Sequence, residues 1–280
     1  MATSPTVRRR VLANRLRSLR EAAGLSLEDV AAHLMCSASK VSRLETGARP
    51  ATLRDVRDLA LMYGVSEADA RDLMTLVREA SQRGWWESYD EVASRSATYI
   101  GLEEAAASLE HYETVRIPGL LQTPAYTRAL LRRISPSHSP DAIEQFVATR
   151  LERQKLLTSS SPPSYWVVLD EAALRRQVGG PAVMQDQLSA LVAAAEAGWV
   201  TIQVVPFASG AHAGMEGTFV ILTFADPDLA DVVYVEGRSG QLFLSRAADI
   251  RVFRETLDHL RAVAEGPDSS LAIVRDLIVH

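Results

Sequence analysis

The chain has 280 residues, 47% hydrophobic and 23% charged, with a net charge of −5 and a single cysteine, Cys36. At ~100–200 residues per domain this length predicts about two domains, enough to bury a core without covalent staples. One cysteine excludes a disulfide scaffold and any zinc site of several cysteines, and no apolar run approaches the ~18 residues of a membrane span. The first residues, MATSPTVRRR, lack the apolar stretch of a signal peptide. The expectation is a soluble, cytoplasmic, globular protein. Only Lys40 and Lys155 among the 30 basic residues are lysine, which, with the many alanines, points to a GC-rich coding genome.

Charge is unevenly spread. Residues 1–57 carry 11 basic and five acidic side chains, a balance of +6 that leaves −11 for the remainder. A basic head on an acidic body fits a nucleic-acid-binding module joined to a separate domain. Within the head, Leu12, Leu16, Leu19 and Ala23 recur at helical spacing and Gly24 ends that helix. Ser26 and Asp29 form a capping box, with aspartate in place of the usual Glu or Gln, and predict a helix from Leu27 to about Leu34. After the break at Met35 and Cys36, Ser37 caps a helix from Ala38 to Thr46 that stops at Gly47. Val41 and Leu44 face inward there; Lys40, Ser42 and Arg43 face outward or sideways. Thr52 to Asp55 opens a further helix with Val56, Leu59, Ala60 and Tyr63 inward, ended by Gly64. Ser66 to Asp69 opens a fifth, running to about Ala80. Five short helices in 80 residues, with a tight turn around 35–37, have the dimensions of a helix-turn-helix.

Residues 81–100 read as a connector, in which Trp85 and Trp86 either pack one domain on the other or offer a stacking platform. Helical patterns follow at 101–114, 124–133 and 140–157, the last opened by Ser139 and Pro140; 158–163 is a loop. The period then changes. Tyr165–Leu169, Val200–Val205, Thr218–Phe224, Val232–Val235 and Gln241–Leu244 are β-rich runs. Helices are expected at 181–196, 246–264 and 269–278. The fold class is α+β: an all-α N-terminal domain, 1–80, the connector, and a C-terminal domain, 101–280, with a small, largely antiparallel sheet flanked by helices.

Catalytic motifs are missing from this pattern. The glycines at 179–180 and 210–217 match neither a P-loop nor a dinucleotide fingerprint, and there is no HExxH or GxSxG. His212 beside Glu216 is the one metal or proton-transfer candidate, against an ordinary surface pair. The expectation is a non-enzyme with no catalytic residues, no metal and no cofactor.

Two stretches carry family resemblances. GLSLEDVAAHLMCSASKVSRLETGARP (24–50) resembles the core of the XRE, Cro/C1-type repressors, through Gly24-Leu25-Ser26, Val30-Ala31, Ser37, Val41 to Glu45 and Gly47. Leu27 departs from the polar residue that many members place at the start of the first motif helix, where it touches the DNA backbone. By this resemblance the 38–46 helix enters the major groove. Ala38, Ser39, Ser42 and Arg43 then face base edges, with Arg43 the candidate for bidentate contact to guanine. Lys40, Thr46 and Arg49 contact phosphates. Arg8 to Arg10 form either a flexible arm on the DNA or a basic tail without specific role. Glu45 braces the motif, and Cys36 is a small apolar residue rather than a redox sensor.

IPGLLQTPAY (117–126), DEAALRRQVGG (170–180), QVVPF (203–207), GAHAGMEGTF (210–219) and VVYVE (232–236) look like the C-terminal domain of actinobacterial WhiJ-like regulators. That resemblance implies control of differentiation and antibiotic production, and an antitoxin-like arrangement with a small protein encoded nearby. The resulting expectation is a sequence-specific transcriptional regulator, dimeric on a pseudo-palindromic double-stranded operator and nucleoid-associated when bound. Its body binds a small partner protein or, alternatively, senses a small-molecule effector. An attached enzyme and a purely dimerising body are the remaining readings.

Overall fold

The computed structural model of the protein describes residues 4–238 and 240–279. These fall into two compact units. One takes in the chain up to Ser88 with Ala97–Ala105 and Ala225–Ala230; the other takes in Tyr89–Ser96, Ala106–Phe224 and the chain from Asp231.

The first unit is helical: α1 (Pro5–Ala22), α2 (Leu27–His33), α3 (Ala38–Glu45), α4 (Leu53–Met62) and α5 (Glu67–Ala80). The caps expected from sequence are present. Ser26 and Thr52 each accept from the N–H three residues on and receive the aspartate in return, and Ser37 and Ser66 cap α3 and α5. Gly24, Gly47 and Gly64 end their helices in the left-handed region that glycine adopts without penalty. Val7, Val11, Leu12, Leu16, Val30, Val41, Leu44, Val56, Leu59 and Leu73 fill the core. α1 starts earlier than its apolar spacing suggested. Proline at its first turn and buried Val7 and Val11 extend it back through Arg8–Arg10. Those arginines are therefore helical, and the flexible-arm and basic-tail readings are corrected: Arg8 pairs with Glu79 at 2.9 Å and Arg10 is desolvated by burial.

The stretch read as a connector holds two helical elements. A short 3-10 turn, Trp85–Ser88, buries Trp86, and α6 spans Asp90–Ala105. Gly84 admits the Trp86 ring, since a Cβ there would lie 2.3 Å from it. The helix expected at 101–114 is corrected: α6 ends at Ala105 and Ser108–Glu113 is β1.

The second unit holds α7 (Pro124–Ile134), α8 (Pro140–Gln154), β2 (Ser164–Asp170), α9 (Glu171–Arg175), α10 (Pro181–Glu196) and β3 (Thr201–Val205). β4 (Phe219–Thr223), β5 (Val232–Gly237), β6 (Gly240–Leu244), α11 (Ala247–Val263) and α12 (Pro267–Val279) complete it. The strands form one sheet in the order β3-β2-β1-β4-β5-β6. β1, β2 and β3 run parallel, because α7 with α8 and α9 with α10 are crossovers between them. β4, β5 and β6 add antiparallel pairings. The sheet is thus mixed rather than largely antiparallel. One face, with Tyr112, Val168, Val205, Phe219, Ile221 and Val233, packs on Leu257 and Leu260 of α11. Val167, Leu169, Ile202, Val204, Val220 and Leu222 of the other face are buried too. Burial on both faces explains the near-continuous apolar runs of these strands.

Candidate nucleic-acid interface and the strand-end cluster

Arg20, near the end of α1, holds α3 in place. Its Nε and one terminal nitrogen donate to the two carboxylate oxygens of Glu45 at 2.7 and 3.0 Å, and its other terminal nitrogen donates to the Leu25 carbonyl at 2.8 Å. One guanidinium thus ties α1, the turn before α2 and α3 together through a bidentate, charge-assisted pair. The Arg20 and Glu45 side chains are only 12% and 5% exposed. Hydrogen bonding to Glu45 holds the Arg20 guanidinium still more firmly protonated than usual. Glu45 therefore braces the motif and is not free to pair with Arg43.

The structure places the sequence-derived contact residues as follows. Ser39, Arg43, Thr46 and Arg49 are exposed, and Ala38, Lys40 and Ser42 are half-buried. Arg43 Nε donates to the Ser39 carbonyl one turn earlier at 3.3 Å. Lys40 has an internal commitment: its Nζ donates to Asp55 at 2.9 Å. Asp55 also accepts from the Thr52 hydroxyl, so α3 and the start of α4 are linked through one carboxylate. Despite burial, hydrogen bonds from Lys40 and Thr52 keep this carboxyl below its usual range. Met35, in the turn between α2 and α3, has φ +49 and projects into solvent. Cys36 is half-buried with a free thiol. The Arg20–Glu45 and Lys40–Asp55 braces carry no local sequence signal, because the partners lie 25 and 15 residues apart.

In the second unit, the motifs singled out in the sequence meet where β1, β2 and β3 end. Asp170 caps α9 and lies 3.3 Å from His212 Nε2, while His212 Nδ1 accepts from the Gly214 N–H at 3.2 Å. His212 thus pairs with Asp170 and not with Glu216, and both its ring nitrogens are engaged. Gly214 lies against the Tyr112 ring, where a Cβ would sit 2.3 Å from ring carbon. Glu171 accepts from the Phe207 N–H at 2.7 Å and ties α9 to the end of β3. Glu113, 2% exposed, accepts from the Thr218 hydroxyl at 2.7 Å and from Arg116 Nε at 3.3 Å. Burial alone would raise its pKa, but the imidazole of His111, the Arg116 guanidinium and the Thr218 hydroxyl outweigh it and hold the carboxyl at about 2.

The IPGLLQTPAY segment is held by glutamine side chains. Gln122 donates to the Ile117 carbonyl, Gln187 donates to the Leu121 carbonyl and accepts from the Thr123 N–H, and Gln154 donates to the Gln122 carbonyl. This network fixes a turn leading into α7. Among the described residues no group of three or more His, Cys, Asp or Glu side chains is placed to hold a metal, and no helix is long and apolar enough to cross a membrane.

The capped α2–turn–α3 arrangement with an exposed basic face defines a helix-turn-helix protein, and residues 11–73 match the model of a helix-turn-helix domain. This supports a DNA-binding regulator. Residues 96–276 match a domain of unknown function, DUF5753, and the chain belongs to that family. No curated protein and no solved structure matches the chain.

Proposed function

We propose that this protein is an XRE-type, sequence-specific transcriptional regulator whose α3 reads the major groove. The observation that carries the reading is the polarity of α3. Its one acid, Glu45, is turned inward and neutralised by Arg20, while Ser39, Arg43 and Thr46, with Arg49 just beyond, face solvent. Arg43 contacts guanine, with Ser39, Ser42 and Ala38 at neighbouring base edges; Thr46 and Arg49 position the helix on phosphates, and Lys40 joins them by exchanging its Asp55 pairing for a phosphate. The head is residues 1–80, and 101–280 form the regulatory body after the 81–100 segment. Two copies place their recognition helices one DNA turn, ~34 Å, apart on a pseudo-palindromic operator. The body is that of WhiJ-like actinobacterial regulators and binds a small partner protein, for which exposed Phe207 and Met215 supply apolar surface. A small-molecule effector is the second reading, favoured by the arginine-lined cleft described next.

Arg43→Ala and Arg49→Ala separate the two kinds of contact. On a selected operator, Arg43→Ala is expected to cost ~1–3 kcal/mol and to relax specificity at one position. Arg49→Ala is expected to weaken all duplexes alike and to reduce the salt slope by ~1. Titration by fluorescence anisotropy at several salt concentrations reads both. Identical behaviour of the two variants would sink the division of roles.

A further inference from the structure

We propose that the second unit carries an anion-binding site for a phosphorylated small molecule, in the cleft between the Arg116 loop, the end of α7 and the β5–β6 hairpin. The cleft has a volume of about 980 Å³, at the upper end of the range of small-molecule sites. Its lining includes three guanidinium groups, Arg116, Arg133 and Arg238, against one carboxylate, Glu236. This gathering of positive charge is unusual for a region that is net acidic after residue 57. Arg133 and Arg238 are exposed, and among the described residues neither has a hydrogen-bond or ion-pair partner from its side chain.

Arg116 differs from the other two. It is fixed between buried Glu113, at 3.3 Å, and exposed Glu236, at 2.7 Å. Glu236 thus occupies the place of an anion on a guanidinium that is already oriented. Glu236 holds only a terminal nitrogen of Arg116, Nε being taken by Glu113; a phosphate brings more charge than a carboxylate, so one of its oxygens competes with Glu236 for that nitrogen while Arg133 and Arg238 take the remaining ones. Ile134 on the same wall gives an apolar surface for the rest of the ligand. Displacing Glu236 frees the β5–β6 hairpin from the Arg116 loop, which provides a structural change that an effector can drive. The consequence for transcription rests on the regulator reading above; the binding itself does not.

The test is isothermal titration of the full-length protein with inorganic pyrophosphate, in the absence of DNA. The wild-type chain is expected to bind. R133A/R238A, both surface changes, should weaken binding about tenfold or more, whereas R251A/R275A, a charge-matched change on α11 and α12, should leave it unaltered. E236Q should tighten binding several-fold, since it removes the competing carboxylate. Circular dichroism confirms that each variant is folded. Absence of binding, equal weakening in the two double variants, or weaker binding by E236Q would each overturn the proposal. Operator binding measured separately on the same samples tells a failure of this site from a failure of the DNA-binding reading.

Discussion

Replacing Arg20 with alanine is expected to cost the helical unit about 3–5 kcal/mol, the range found when one partner of a buried ion pair is removed. Glu45, at 5% side-chain exposure, would lose both donors from the Arg20 fork, and the Leu25 carbonyl would lose its donor as well. Glu45→Ala is expected to cost somewhat less, because the Arg20 guanidinium keeps the Leu25 carbonyl at 2.8 Å and the Glu21 carboxylate at 3.5 Å. Against the ~5–15 kcal/mol that typically holds a domain together, either change leaves little margin. The Arg20→Met/Glu45→Met double variant should recover most of the loss, since no uncompensated charge is then buried. Urea unfolding, with hydrogen exchange of peptides from α1 to α5 to locate the effect, checks this. Single-variant costs below ~1 kcal/mol would mean that the pair behaves like a solvent-exposed one and does not position α3.

The second unit should show a large acid-linked loss of stability through Glu113. Its carboxyl titrates at about 2 in the folded chain, against an ordinary value of 4.5. A pKa lowered by folding contributes stability above the unfolded value and loses it as pH falls through the folded one. The contribution is therefore complete above about pH 5 and fades between about 4.5 and 2. Its size, at ~1.4 kcal/mol per unit, is about 3 kcal/mol. Glu113→Gln should be less stable than the wild type by about that amount at pH 6, and the two should converge towards pH 2. Urea midpoints measured between pH 6 and pH 2.5 give the comparison. Parallel curves for the two proteins would show that Glu113 is not the linked group.

Much of the first unit was legible because its signals are local. Ser26, Ser37, Thr52 and Ser66 mark helix starts by hydrogen bonds that span three residues, and Gly24, Gly47 and Gly64 mark the stops. Of Lys40, Ser42 and Arg43, which that spacing turned outward or sideways on α3, Arg43 is exposed and the other two are half-buried. What holds α3 was not legible, since Arg20 and Lys40 find their partners across the fold. β1 shows the same limit in the second unit. Ser-Leu-Glu-His-Tyr-Glu does not read as an inner strand, yet β1 pairs on both sides. Its polar residues are met by distant groups: Glu110 by Arg261 at 2.9 Å, His111 by the Tyr165 hydroxyl at 3.3 Å, and Glu113 by Thr218. Without β1, the parallel β1–β2 pairing and the position of β4 beside β1 were hidden, and the sheet read as largely antiparallel. Tertiary pairing overrode local polarity there, as it did for Arg8–Arg10, whose charge suggested a free arm and whose neighbours Val7 and Val11 are in the core.

In vitro selection from random duplex DNA, with the full-length protein and its Arg43→Ala variant in parallel, tests whether α3 reads DNA sequence. The wild type is expected to enrich a two-fold-related motif containing a guanine in each half-site, and Arg43→Ala to lose the preference at that guanine while retaining general affinity for duplex. Failure to enrich any motif, or enrichment of the same motif with the same guanine preference by the variant, would contradict that role for α3.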